Sequence, residues 1–182
     1  GPPGAGKSTL AENLCRRLNR NLAGDPAAIV PMDGFHFDDI VLKARGALPR
    51  KGAPHTFDVA GFHHLLMRLR ANEPEVALPV FDRTQELARA GARVVTPAQR
   101  ILLVEGNYLL LRQEPWARLK PLFDLTVFLP VPFAELERRL IQRWLEHGYA
   151  PEAAEAKARS NDIPNAELVM RESEPADYDL CP

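Results

Sequence analysis

Cysteine is nearly absent. The 182 residues hold two, Cys15 and Cys181, with no C-x-x-C or metal-ligand spacing between them. That argues against a disulfide-stapled secreted scaffold and a cysteine-based metal site, and it suits a reducing compartment. Charge of one sign is also lacking: the formal net charge is -1, so no basic excess points to nucleic acid or an anionic membrane as the main partner. No apolar run approaches the roughly 18 residues of a membrane helix, and no signal peptide is visible. Internal repeats, linkers and low-complexity tracts are missing as well, and the 17 prolines fall at element boundaries. The expectation is one soluble, cytoplasmic domain spanning 1–182, long enough to bury about 70 % of its unfolded surface.

What is present begins at the first residue. Gly1 to Thr9 reads GPPGAGKST and satisfies G-x-x-x-x-G-K-[ST] at every fixed position. Glycines at 1, 4 and 6 let the backbone turn successive N–H groups inward on an anion, with Ala5 between them. Lys7 brings charge for β- and γ-phosphates, and Ser8 brings a hydroxyl for the Mg²⁺ that accompanies ATP. Thr9 follows at the start of a helix whose positive end faces the phosphates. A phosphate loop normally follows a buried strand, whereas this sequence starts on the loop itself. The expectation is that upstream residues supply that strand.

Leu10, Leu14, Leu18 and Leu22 recur every four residues, predicting an amphipathic helix on a sheet. Ala27 to Met32 reads as a short buried strand ending in Asp33-Gly34-Phe35-His36, and ligands bind at the carboxyl ends of such strands. Residues 38–54 are polar and broken by glycine and proline, predicting a mobile, partly basic loop. Asp58 then caps a helix with Phe62, Leu65, Leu66 and Leu69 on its apolar face. Leu78 to Arg83 reads as a short edge strand ending in Asp82 and Arg83. Ile101 to Val104 is a strand covered on both faces, ending in Glu105-Gly106-Asn107, where a carboxylate can approach Mg²⁺. Leu125 to Leu129 is another buried strand, with Pro132 opening a helix.

In that helix Phe133, Leu136, Leu140, Ile141, Trp144 and Leu145 face inward, while Arg139, Arg143 and His147 stack at i, i+4 and i+8. Like charges at that spacing repel by a few tenths of a kcal/mol per pair, so the stripe is either solvated, with Glu135 pairing Arg139, or placed for phosphates. An exposed Ala/Glu-rich helix over 150–164 completes a lid hairpin of about 138–164. Residues 176–180 read as a last short strand.

Taken together, GPPGAGKST, PMDGFH, RKGAPHTFD, PVFDR, ILLVEGNYLLL and the arginine-bearing lid resemble the phosphoribulokinase, uridine kinase and pantothenate kinase superfamily over nearly the whole chain. The MDGFH and RKGAPHTFD wording is most similar to its nucleoside or fructose-transport-system kinase group. The resemblance implies a P-loop NTPase-type α/β fold, a parallel sheet with helices on both faces and a helical lid. It also implies transfer of phosphate from Mg·ATP to a small alcohol. By the same resemblance Asp33 matches the base for the acceptor hydroxyl, Glu105 the Mg²⁺-associated acid, and Arg139 and Arg143 the lid arginines. Phe35, His36, Arg50, His55, Phe57, Asp82 and Arg83 fall in the acceptor-binding segments. His55 stands where pantothenate kinases often carry glutamate. The reading is therefore a kinase for a sugar, nucleoside or pantothenate-like acceptor, with a homodimer compatible with the sequence. The rival is a regulator that binds or hydrolyses ATP without a small acceptor. No N-K-x-D string for guanine occurs.

Overall fold

A computed structural model of the chain describes residues 1–181. Its elements in chain order are α1 (Lys7–Asn21), β1 (Ala27–Pro31), α2 (Asp39–Ala44), α3 (Val59–Arg70), β2 (Val76–Asp82), β3 (Leu87–Val95), β4 (Ile101–Glu105), β5 (Val127–Phe128), α4 (Phe133–Glu146), α5 (Pro151–Lys157), α6 (Ile163–Glu172) and β6 (Tyr178–Asp179). β1 and β4 pair in parallel from Ala27 opposite Ile101 to Pro31 opposite Glu105. β5 and β6 form a second parallel pair, and β2 and β3 an antiparallel hairpin. Parallel pairing aligns the carboxyl ends of β1 and β4, so whatever follows Pro31 and Glu105 emerges side by side.

α1 packs on β1 and β4, and α3 on β2. The α3 face forms as the spacing predicts: Asp58 accepts the Gly61 N–H at 2.9 Å, and Phe62, Leu65, Leu66 and Leu69 are buried. They join Val30, Met32, Tyr108 and Trp116 in one core, while a second core of Ala5, Leu129, Leu136, Leu140, Ile163 and Ala166 lies against the glycine loop.

Several expectations change. On α1 only Ala11 is buried, and Leu14 and Leu22 are exposed. β4 is half-buried along its length rather than covered on both faces. Residues 38–54 take local helical structure: the Asp38 carboxylate accepts the Ile40 N–H at 2.8 Å, and Leu42, fully buried, anchors α2. The edge strand proves to be one arm of a hairpin, with Pro79 at a register shift between Leu78 and Val80 where its missing N–H costs no ladder bond. Its partner β3, rich in Ala, Arg and Gly, carries little strand propensity of its own. Phe133 is partly exposed rather than packed inward. The helix expected over 150–164 does not end there: a π-helical turn over Ala158–Asp162 carries α5 into α6, with Pro164 tolerated in the first turn.

Candidate active site

The loop before α1 wraps as its glycines allow. Gly4 and Gly6 adopt φ of 81° and 86°, a region costly for residues with a Cβ. Gly1 lies against Leu129, Ala5 is buried with its N–H on Pro2 O, and Ser8 and Thr9 stay exposed in the first turn of α1. The Lys7 ammonium turns back along the loop, donating to Pro2 O at 2.8 Å and to Asn107 Oδ1 at 2.6 Å. Burial lowers its pKa to about 8, against the opposing pull of Glu105 and Asp33.

Ser8 Oγ donates to Glu105 Oε2 at 3.2 Å, so the hydroxyl and the carboxylate at the end of β4 meet as two hard oxygen ligands. Burial, then the nearby Asp33 charge, pushes the Glu105 carboxyl above its ordinary range. Among the described residues no group of three or more His, Cys, Asp or Glu side chains forms a metal cage. Ser8 and Glu105 therefore fit Mg²⁺, which keeps waters and takes phosphate oxygens, better than a metal held by protein alone.

Asp33 follows β1 in a single 3₁₀ turn over Met32–Phe35. The turn runs close against the hairpin, since a Cβ on Gly34 would collide with the backbone of Pro79. Arg83 reaches across from the hairpin and pairs with Asp33 Oδ2 at 2.6 Å. His36 Nδ1 lies 2.7 Å from Asp33 O; because a carbonyl only accepts, Nδ1 carries the proton and Nε2 is left as an acceptor. Burial depresses the His36 pKa, and its ring is held between Phe57 and Phe81 at centroid distances of 4.1 and 4.7 Å. One end of the paired strands thus gathers an ammonium, a hydroxyl, two carboxylates and a neutral imidazole beside a glycine loop.

Known proteins carry the same plan. A provisionally named fructose transport system kinase from Silicibacter sp. TM1040 superposes with a TM-score of 0.93 at 46% identity, over 99% of this chain and 86% of that one. A provisionally named uridine kinase from Schizosaccharomyces pombe is 34% identical over 181 residues, 94% of this chain and 76% of its own length. This chain is a P-loop kinase of the uridine and pantothenate kinase-like group. A pantothenate kinase from Corynebacterium diphtheriae is 31% identical over 146 residues, 80% of this chain and 47% of its own length. No family model matches the sequence.

In this kinase the arginines expected to serve a lid are already paired. Arg139 Nε bonds Glu135 at 2.7 Å and its NH1 reaches Gly4 O at 3.3 Å, joining α4 to the phosphate loop. Hydrogen bonds from Arg138, then Arg139, hold the Glu135 carboxyl at about 2. Arg143 pairs with Asp162 at 2.9 Å, and Trp144 Nε1 donates to the same carboxylate at 2.6 Å. Arg139 and Arg143 are thus each offset by a carboxylate: Glu135 pairs Arg139 as the i, i+4 spacing allowed, whereas Asp162, the partner of Arg143, was not disclosed by that spacing. Arg50 turns toward the lid, donating to Ser160 O at 2.7 Å, and Asn161 returns a bond to Lys51 O at 2.7 Å. His55 lines a second cavity with Arg50, Trp116, Asn165 and Arg171. Phe35 stacks on Phe62 at 4.9 Å and Phe57 is buried, so both brace the turn bearing Asp33 and His36. Asp82 accepts the Thr84 and Gln85 N–H groups at the hairpin tip, the Gln85 bond first among the causes lowering its pKa.

Asn107 and Asp162 were not foreseen as members of this cluster. Asn107 had a signal: two residues past Glu105, it falls on the same side as Glu105 if the extended chain continues. Asp162 had none, since 19 positions separate it from Arg143 and only the helical hairpin brings them together.

Proposed function

We propose that this kinase transfers the γ-phosphate of Mg·ATP to a hydroxyl of a sugar, nucleoside or pantothenate-like acceptor, with Asp33 as general base. The observation that carries the reading is the parallel register of Pro31 with Glu105, which sets Asp33 and the Ser8–Glu105 pair at one strand edge next to the glycine loop. The loop N–H groups and Lys7 take the phosphates, Lys7 exchanging its bonds to Pro2 O and Asn107 for phosphate oxygens. Ser8 and Glu105 are the residues that would hold Mg²⁺, which when bound would neutralise phosphate charge.

Asp33 accepts the acceptor hydroxyl's proton as that oxygen bonds to the γ-phosphorus and the bond to the ADP oxygen breaks. Arg139 and Arg143 meet the charge that spreads over the transferring group, and the lid excludes water that would otherwise take the phosphate. His36, with Nε2 free to accept, Phe35, Phe57, Asp82 and Arg83 shape the acceptor side, while Arg50 and His55 tie the acceptor loop to the lid base. An ATP-consumption screen over nucleosides, pantothenate, fructose and other sugars, with mass detection of the ester, tests this. A new phosphate ester formed by the parent and not by Asp33→Asn supports it. ATP hydrolysis with no ester from any alcohol would favour the regulatory alternative.

A further inference from the structure

The hairpin next to Asp33 carries an open hollow of about 360 Å³ whose lining includes Phe81, Asp82, Arg83, Arg89, Ala92 and Arg93. Three guanidiniums and one carboxylate meet there. Asp82 is shared, accepting from Arg89 at 3.5 Å while spending its other oxygen on the hairpin tip. Arg93, half-buried, donates to Ile29 O at 2.6 Å, and among the described residues no carboxylate pairs with it. A backbone carbonyl satisfies one N–H but cancels no charge, so the half-buried Arg93 leaves positive charge over in the hollow, with Arg83 and Arg89 exposed at its rim. Arg83 spans from this hollow to the proposed base, so a ligand seated among the arginines can have its hydroxyl within reach of Asp33.

We propose that this hollow is an oxyanion subsite and that the acceptor is an alcohol carrying a carboxylate or phosphate of its own. The proposal rests on the kinase reading above and adds the charge of the substrate. An oxyanion on Arg89 and Arg93 meets planar donors in a fork geometry that suits either group. It also competes with Asp33 for Arg83, loosening the 2.6 Å ion pair and freeing the carboxylate to take a proton. A neutral sugar or nucleoside would leave Arg93 without a counter-charge and the base clamped by Arg83.

The experiment fills the phosphate loop first, with Mg²⁺ and a non-hydrolysable ATP analogue, and then titrates inorganic phosphate or acetate calorimetrically. Parent protein is expected to bind at least one of them, and the stronger identifies the anion. Arg89→Gln and Arg93→Gln should each weaken that binding about tenfold, with Arg93→Lys recovering part of it and the analogue's own affinity unchanged. Binding equal in parent and variants, or absent in all, overturns the subsite. Turnover supplies the second arm. Anionic alcohols should be phosphorylated with a KM that rises in the two Gln variants at nearly constant kcat; efficient turnover of neutral alcohols alone refutes the subsite while leaving the kinase reading intact. Failure of the analogue to bind removes the kinase reading instead.

Discussion

Lys7 shows how a single side chain can couple chemistry to pH. Its ammonium, lowered by burial to about 8, is partly neutral in the free protein just above physiological pH. Bound phosphates favour the charged form, so nucleotide binding near pH 8 should take up about half a proton, and affinity should fall as pH rises through that value. Calorimetry in buffers of different ionisation enthalpy measures this; uptake of zero would detach Lys7 from the phosphates. The carboxylates divide by role. Asp33→Asn keeps the turn and removes the base, so turnover should drop at least about 10²-fold with ATP affinity little changed. Glu105→Gln should instead raise the Mg²⁺ concentration needed for half activity, since the amide is a poorer ligand, and a metal titration on the variant reads this directly.

At the scale of elements, α4 separates two kinds of arginine. Arg139 shares Glu135 with Arg138, so Arg139→Gln leaves that carboxylate still paired, and stability should move by only a few tenths of a kcal/mol. Arg143→Gln leaves the mostly buried Asp162 with Trp144 alone as a donor, and should cost up to about 1 kcal/mol, a fall of about 2 to 4 °C in melting temperature. Both should reduce turnover about 10²-fold if they meet the transferring group. Repulsion along the stripe would have predicted a gain in stability for both, an expectation that Glu135 and Asp162 reverse. Parent-like turnover in both variants would return the arginines to a structural role on the lid.

For the whole molecule, nucleotide binding should report on folding. Mg·ATP at 100 times its Kd stabilises the folded state by about 2.7 kcal/mol, or about 5 to 10 °C for a chain of this size. Lys7→Ala should lose most of that shift with its ligand-free melting temperature close to the parent's, and an undiminished shift would remove the phosphate-loop assignment. The described residues include no helix long and apolar enough to cross a membrane.

Local chemistry explains what could be read from the sequence. GPPGAGKST depends only on glycine conformations, one ammonium and one hydroxyl within nine residues, and the face of α3 depends on helical period; both are properties of neighbours in the chain. Strand ends marked by Asp33 and Glu105 were legible because apolar runs, Ala27 to Met32 and Ile101 to Val104, stop abruptly at charge. β3 was not, because Ala, Arg and Gly become a strand only when β2 supplies the other half of the ladder. The pairings of Lys7 with Asn107, Arg83 with Asp33, Arg143 with Asp162 and Arg50 with Ser160 span 19 to 110 positions. No local pattern encodes a partner at that separation, since the side chains meet only after parallel strands align and the helical hairpin folds back. The sequence by itself settled which chemical groups the molecule possesses and where β1 and β4 end. Tertiary structure decided which charges are already neutralised and which, like Arg93, are left facing a hollow, because a charge's surroundings are a property of the packed chain and not of its neighbours in sequence.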